Sequence, residues 1–361
     1  MSRPRVLLTT DVVGGVWDFS LSLANELRSG AEVTLLAFGE PSADQCLEAR
    51  MADVRLSAEP LKLEWMQDSD DDVRRTRKSV ARVAASGFDL IHANQFAAAC
   101  ADVEVPVVLT LHSDVLSWRR WTLGTSGVPA EWQAYVRLVR EALERATCVV
   151  AVSSFLADQV HDLYGCIRDI RVIHNGWSAT STSGSKQPIT LVAGRMWDAA
   201  KNLALAARAA QGWSPGDVLV AGELRHPEAG SSAEVPPPLR PLGHLRRRAL
   251  ERVLDQASVY LSPARYDPFG LLPLQAAQHG CALLLADIPS YRELWNDAAT
   301  FFRSDDAADL QRAWRALLAD PARRVELGEA ARARAAACFS ATRMAADYRE
   351  VYRAACRRTV A

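Results

Sequence analysis

An α/β protein built on two doubly wound parallel sheets is predicted, and three observations predict it. Short apolar runs rich in strand formers alternate with helical patterns along the chain. These runs lack the polar alternation of a half-solvated strand, so they read as strands buried on both faces beneath helices. The runs also fall into two series with a polar stretch between them, and 361 residues exceed one domain at a prior of about 150 residues each.

The first series comprises Arg5 to Thr10, Val33 to Phe38, Phe88 to His92, Val107 to His112 and Cys148 to Val152. Its first strand closes on Thr9-Thr10-Asp11 and passes through Val12, Val13, Gly14 and Gly15 into an amphipathic helix, Val16 to Arg28. Paired glycines let backbone amides approach a ligand closely because no Cβ holds it off, although a plain strand-to-helix turn accounts for them equally. The pattern is not GxGxxG, and the next strand ends Ala37-Phe38-Gly39-Glu40, so a nicotinamide-cofactor reading lacks its fingerprint. Ser69 to Asp72 reads as a loop. His112, in VVLTLHSD, ends a buried strand where ligands can reach a side chain. A lone histidine is more often structural.

Ser178 to Pro188 is small, polar and of the kind that links domains, which sets domains of 1–180 and 181–341 with the boundary near Ser181. The second series runs through Ile189 to Ala193, Val218 to Ala221, Val259 to Leu261, Ala282 to Ala286 and Thr300 to Phe302. Ile189 to Ala193 leads into Gly194-Arg195, and Lys201 follows in the opening turn of a helix expected to begin near Asp198. A strand-end Arg and a helix-start Lys can converge on one anion, the Arg as a bidentate fork and the Lys as a point charge. Surface solvation is the other reading. Pro227 to Pro238 reads as a loop.

Next, Ser258 to Ser262 (SVYLS) joins a helix marked by Leu271, Leu274, Ala277 and Gln278 through the tight turn Pro268-Phe269-Gly270. Asp267 to Gly270 therefore sits at a strand's carboxyl end and a helix start, where unpaired amides and the helix dipole favour anions. A mere capping role for Asp267 stands beside that reading. The tail from Thr342 to Val360 is helical, with Met344, Tyr348, Val351 and Tyr352 on one stripe, and is expected to return to the first domain.

Composition narrows the function classes. A hydrophobic content of 49% with 24% charged residues suits buried cores, and a formal net charge of -1 argues against a nucleic-acid binder. Seven cysteines are scattered without a CxxC pair, so neither a disulfide framework nor a zinc site is supported. No apolar run approaches the roughly 20 residues of a membrane span, and the start of the chain is a poor signal peptide. HExxH, GxSxG and Walker motifs are absent, which points away from metal, triad and P-loop chemistry.

In order, the segments Gly14-Gly15-Val16, TLHSD around His112, AVSSFLADQV from Ala151, VIHNGW from Val172, AGRMWDAAKNL from Ala193, PLGHL from Pro241 and YDPFGLLPLQAAQHGCALLLAD from Tyr266 carry a family resemblance. The chain resembles the retaining glycosyltransferases of family 4 (glycosyl transferases group 1), a GT-B-fold family that includes bacterial glycosyl- and mannosyltransferases and relatives of sucrose and glycogen synthases. That resemblance implies two Rossmann-like domains facing across a cleft, and transfer of a hexose from a UDP-, GDP- or ADP-linked sugar to a hydroxyl acceptor. The donor is then held mostly by the second domain and the acceptor by the first, with no metal and no cofactor beyond the nucleotide-sugar as co-substrate. A cytoplasmic enzyme, at most peripheral at the inner membrane face, is expected.

By the same resemblance, Arg195 and Lys201 grip the diphosphate and Asp267 faces the donor sugar. The backbone of Phe269, Gly270, Leu271 and Leu272 meets sugar hydroxyls and phosphate. Gln275 meets the ribose, His112 the sugar near its reacting carbon, and Gly14 and Gly15 close on phosphate and acceptor. Two positions depart from the family pattern of glutamate, seven residues, glutamate, because here they hold Asp267 and Gln275. The departure keeps a non-catalytic sugar-nucleotide binder open as an alternative, alongside an epimerase or phosphorylase of similar architecture. No segment suggests the committed lysine that a pyridoxal-dependent phosphorylase needs. Trp118 to Arg120, Trp121, Arg137 and Arg140 could touch a membrane or a lipid-linked acceptor, but a solvated helix face with packed tryptophans is the favoured account.

Overall fold

The computed structural model describes residues 3–166, 168–178, 185–228 and 232–359. The boundary expected near Ser181, and with it the middle of the polar linker, lies outside the described residues. Two compact units form: Met1–Arg119 with Thr125–Gly176 and Ala341–Ala361, and Arg120–Gly124 with Trp177–Ser340.

The first unit holds seven strands: β1 (Arg5–Asp11), β2 (Glu32–Phe38), β3 (Arg55–Glu59), β4 (Leu90–Ala93), β5 (Val107–Leu111), β6 (Cys148–Ala151) and β7 (Ile170–Val172). Their order is β3-β2-β1-β4-β5-β6-β7, and every pairing is parallel. Parallel strands need crossovers, and helices supplying them cover both faces, which is why β1, β4 and β5 are buried along almost their whole length. Strand order reverses between β1 and β4, so the carboxyl ends of these neighbours flank a crevice of the kind that takes ligands.

The second unit repeats the plan with β8 (Gln187–Ala193), β9 (Asp217–Ala221), β10 (Arg240–Gly243), β11 (Ala257–Ser262), β12 (Ala282–Ala286) and β13 (Thr300–Phe302). The order β10-β9-β8-β11-β12-β13 puts its switch between β8 and β11, where Thr190 pairs with Val259 and Leu191 with Tyr260. Beyond β8 and β9 the chains close to backbone contact, since a Cβ on Gly222 would lie 1.8 Å from the Gly194 carbonyl oxygen. Only glycine fits there, and Gly222 also adopts φ 133°.

Three strands, β3, β7 and β10, were not among the predicted runs. All three are sheet edges, and β3 and β10 leave most positions half-buried or exposed, so they lack the continuous apolar run by which interior strands are read. The supposed loop at Ser69 to Asp72 is corrected as well. It opens the helix Asp70–Ala84, whose first turn carries Asp70, Asp71 and Asp72. Acidic side chains there complement the positive end of the helix dipole, a start signal that resembles a solvated charge run in sequence.

Among the described residues no helix is long and apolar enough to cross a membrane. The helix Ala341–Thr359 belongs to the first unit and buries Met344, Ala345, Tyr348, Val351, Tyr352 and Ala355 in one core with Phe19, Leu23 and Leu27 of the helix Gly15–Leu27. A buried polar chain pins it to the sheet: His92 Nδ1 lies 2.7 Å from the Tyr352 hydroxyl and Nε2 lies 2.7 Å from Thr110 Oγ1, which is 3.0 Å from the Tyr348 hydroxyl.

Burial, and after it the His112 imidazole, holds His92 down to about 3. An unfolded histidine titrates near 6.5, so between these values the unfolded chain binds a proton that the folded chain refuses. The contribution of His92 to stability is thus full above about pH 6.5 and falls as the pH drops towards 3. Thermal unfolding followed from about pH 7 to about pH 4 should show a falling Tm, and His92→Gln should flatten part of that slope. An unchanged slope in a folded variant would show that His92 does not carry the effect.

Candidate functional site

In the second unit the polar side chains gather beyond the carboxyl ends of β8 and β11, on either side of the switch point. After β8, Gly194 leads to Arg195, and Asp198 caps a single 3-10 turn, Ala199–Lys201, by accepting from the Ala200 N–H at 3.0 Å. Lys201 therefore ends a short turn rather than opening a helix as expected. The reason is Asn202, which takes a left-handed conformation at φ 52° and starts the separate helix Leu203–Ala209, while its amide donates to Asp305 Oδ1 at 2.8 Å. Arg265 clamps the same Asp305 carboxylate at 2.9 Å and 3.0 Å, and its backbone N–H bonds Ala200 O at 2.8 Å. The turn that carries Lys201 is thereby tied to the loop that carries Asp267.

Lys201 Nζ donates to Asp267 Oδ2 at 2.9 Å, with the two side chains only 19% and 16% exposed. The same oxygen accepts the Tyr291 hydroxyl at 3.1 Å. Arg195 stands apart from this pair: it bonds Asp198 Oδ2 at 3.2 Å, stacks its guanidinium 5.3 Å from the Trp197 ring centroid, and is 40% exposed. Asp267 does not cap the following helix. The capping position of Leu271–Gln278 is Gly270, left-handed at φ 80°, where a Cβ would meet Pro273 and Tyr291 at 3.0–3.2 Å. Phe269 is buried against Phe339, Leu271 and Leu272 are half-buried in the first turn, and Gln275 is buried on that helix.

In the first unit, Gly14 (φ 124°) is the capping residue of Gly15–Leu27, and Gly15 is its exposed first residue. His112 lies beyond β5, half-buried, with its ring edge-on to Phe19 at 4.5 Å and its Nε2 2.9 Å from Asn94 Oδ1. The Asn94 amide nitrogen donates to the Thr9 carbonyl at 2.7 Å, so its oxygen must accept. His112 then carries its proton on Nε2 and presents Nδ1 as an acceptor. Burial holds this imidazole down to about 3, so it is neutral at ordinary pH.

Asn94, Gln95, Asp11 and Glu64 share that strand-end region and were not singled out from sequence. Gln95 accepts the Thr9 hydroxyl at 2.6 Å, Asp11 takes the Val13 N–H at 2.9 Å, and Glu64 takes the Phe96 N–H at 2.8 Å. Burial, with the Asp11 charge in addition and against the Phe96 bond, raises the Glu64 carboxyl to about 7. Asn94 and Gln95 directly follow β4, a position that strand-end reading could have flagged. Glu64 and Tyr291 carry no comparable local signal. Of the basic and aromatic residues, Trp118, Arg119, Arg120 and Trp121 are half-buried on the helix Val115–Leu123, whereas Arg137 and Arg140 are exposed, Arg140 donating to the Tyr164 carbonyl at 3.1 Å. Among the described residues no three His, Cys, Asp or Glu side chains converge as a metal site.

Comparison with known proteins gives this geometry a family. The model for Glycosyltransferase Family 4 matches residues 13–179 and that for Glycosyl transferases group 1 matches residues 177–334. The alpha-maltose-1-phosphate synthase of Mycolicibacterium smegmatis is 27% identical over 290 residues, covering 69% of this chain and 73% of that protein. The glycogen synthase of Mycobacterium tuberculosis is 29% identical over 291 residues, covering 74% and 69%. Among solved structures, sucrose-phosphate synthase from Thermosynechococcus elongatus aligns with a TM-score of 0.81 at 20% identity over 97% of this chain and 98% of its own. Anabaena Alr3699/HepE in complex with UDP and glucose aligns at 0.74 with 16% identity, covering 97% and 99%. Matched by two successive family models from residue 13 to residue 334 and sharing the GT-B fold of its structural neighbours, the chain belongs to the glycosyltransferases of family 4, group 1.

Proposed function

We propose that this glycosyltransferase moves a hexose from a nucleotide-sugar to a hydroxyl acceptor with retention at the transferred carbon and without a divalent metal. The observation that carries the reading is the Lys201–Asp267 pair at the β8/β11 switch point, with Arg195 held separately on Asp198 after the same strand β8. When the bond from the sugar to the leaving diphosphate breaks, negative charge collects on phosphate oxygens. Fixed cations at a strand end stabilise that charge more than they stabilise the ground state. Arg195 and Lys201 serve this role, the acceptor oxygen attacks the sugar carbon, and its proton passes to the departing diphosphate. Asp267 faces the sugar, and Gln275 and the backbone of Phe269 to Leu272 hold the nucleoside and phosphate. In the first unit, Gly14 and Gly15 admit phosphate and acceptor, and His112 Nδ1 accepts from a sugar hydroxyl. The Anabaena neighbour was solved with UDP and glucose, which supports a nucleotide-sugar donor here. UDP-, GDP- and ADP-linked sugars are the donors to try, and a glycan, lipid-linked sugar or small metabolite is the acceptor class.

A non-catalytic binder is the second reading, favoured by Gln275 in place of a charged residue. Incubating the protein with a panel of UDP-, GDP- and ADP-sugars, with and without acceptor extract, separates the two. Nucleotide release supports the transferase, whereas binding without release supports the alternative.

In the active system, Arg195→Ala and Lys201→Ala should each lower kcat at least about a hundredfold, on the order of 3 kcal/mol. Lys201→Ala is the more severe of the two because it also strands the Asp267 carboxylate in a half-buried site. Near-wild-type rates in both variants would remove the diphosphate assignment. EDTA should leave turnover intact, and loss of activity with rescue by magnesium or manganese would refute metal independence.

Gln275 offers one carbonyl acceptor where a glutamate offers a charged one. Gln275→Glu should therefore tighten the cognate nucleoside diphosphate about tenfold and Gln275→Ala loosen it, read by titration calorimetry with UDP, GDP and ADP. Weaker binding by the Glu variant with no change in the Ala variant would show that Gln275 does not touch the ribose.

A further inference from the structure

Two consecutive residues at the start of the helix Pro289–Trp295 grip Asp267 from the neighbouring strand's loop. Ser290 Oγ donates to the Asp267 carbonyl at 2.6 Å, and the Tyr291 hydroxyl donates to Asp267 Oδ2 at 3.1 Å. Tyr291 is fully buried, and its ring packs on the Gly270 turn, 3.1 Å from where a Cβ there would stand. A tyrosine hydroxyl has one hydrogen, and a carboxylate can only accept it, so the 2.8 Å contact with Ser262 must have Ser262 as its donor. The result is a directed chain from Ser262 through Tyr291 to Asp267.

Both donors that reach the carboxylate, Lys201 and Tyr291, converge on Oδ2, and no described residue donates to Oδ1. Lysine is a flexible point charge on a long stem, whereas the Tyr291 ring is locked by packing and has a single hydroxyl position. Orientation therefore comes from Tyr291 and charge from Lys201. We propose that Tyr291 is a positioning residue that holds the short Asp267 carboxylate so that Oδ1 is left for the donor sugar, a role resting on the reading of Asp267 given above. Burial, and after it the Asp267 charge, keeps the Tyr291 phenol well above its usual range, so the hydroxyl stays a donor at working pH. The arrangement also matches side-chain length. The aspartate reaches the Tyr291 hydroxyl at 3.1 Å, and a glutamate is one methylene longer, so its carboxylate must sit elsewhere relative to that hydroxyl.

Kinetics on the nucleotide-sugar that the wild type turns over fastest test the idea. Tyr291→Phe should lower kcat about tenfold while the Kd of the matching nucleoside diphosphate stays within about twofold, since a misplaced sugar-facing group affects the sugar and not the nucleotide. Asp267→Glu alone should be slow. Combined with Tyr291→Phe, which vacates the hydroxyl's place, it should be at least about fivefold faster than the product of the single effects. Ser262→Ala should act in the same direction as Tyr291→Phe but more weakly. A Tyr291→Phe enzyme within twofold of wild type, or additive behaviour of the pair, would overturn the proposal. If the wild type neither binds nor turns over any nucleotide-sugar, the functional reading fails by itself. The positioning contact is then judged by thermal unfolding of Asp267→Ala, Tyr291→Phe and the double variant, where non-additive Tm shifts support it and additive shifts overturn it.

Discussion

One carboxylate oxygen, Asp267 Oδ2, is where the second unit's strand ends are tied together. It takes Lys201 from the turn after β8 and Tyr291 from the helix Pro289–Trp295 after β12, while Asp267 itself follows β11. Stability gives little reason to place charges there. Removing a lysine and an aspartate from most of their water costs free energy that their attraction roughly balances, and apolar replacements would hold the fold as well. What the pair supplies is a cation and an anion held in fixed orientation at the strand ends beside the switch point. Arg195, more exposed and resting on Asp198 and Trp197, is the looser partner in this arrangement.

The two units answer the same structural constraint with different side chains. In each, parallel strands covered on both faces leave the carboxyl ends beside the switch point as the place where polar side chains can meet a ligand. The first unit fills that edge with Asp11, Glu64, Asn94, Gln95 and a neutral His112, while the second fills it with Arg195, Lys201 and their acidic anchors. The first set offers hydrogen-bond acceptors and amides. In the second set each cation is paired with a carboxylate, Arg195 with Asp198 and Lys201 with Asp267.

The carboxyl-terminal helix shows how a distant segment can serve the first of these edges. Tyr348 and Tyr352 reach Thr110 and His92 inside the sheet, and Phe19, in the same core, supports the His112 ring. A buried polar chain of this type is costly unless every member finds a partner, so it specifies one seating of the helix rather than merely adding stability. The ring that presents Nδ1 is thus held from behind by a core that the tail completes.

Sequence alone determined the ten interior or strongly apolar strands, the helix start to within one residue of Gly15 and that after Gly270, and the strand ends that carry His112, Arg195 and Asp267. These are local properties, because a strand covered on both faces must be apolar throughout and a tight turn must admit glycine. The edge strands β3, β7 and β10 escaped because an edge is solvated on one side and loses that apolar signature. Tertiary structure alone decided the contacts: that Lys201 ends a 3-10 turn broken by Asn202, that it meets Asp267, and that Asp267 is held by a tyrosine 24 residues further on. Contacts of this kind depend on which strands become neighbours and at what register. Those are set by packing of the whole unit, and no short stretch of residues encodes them.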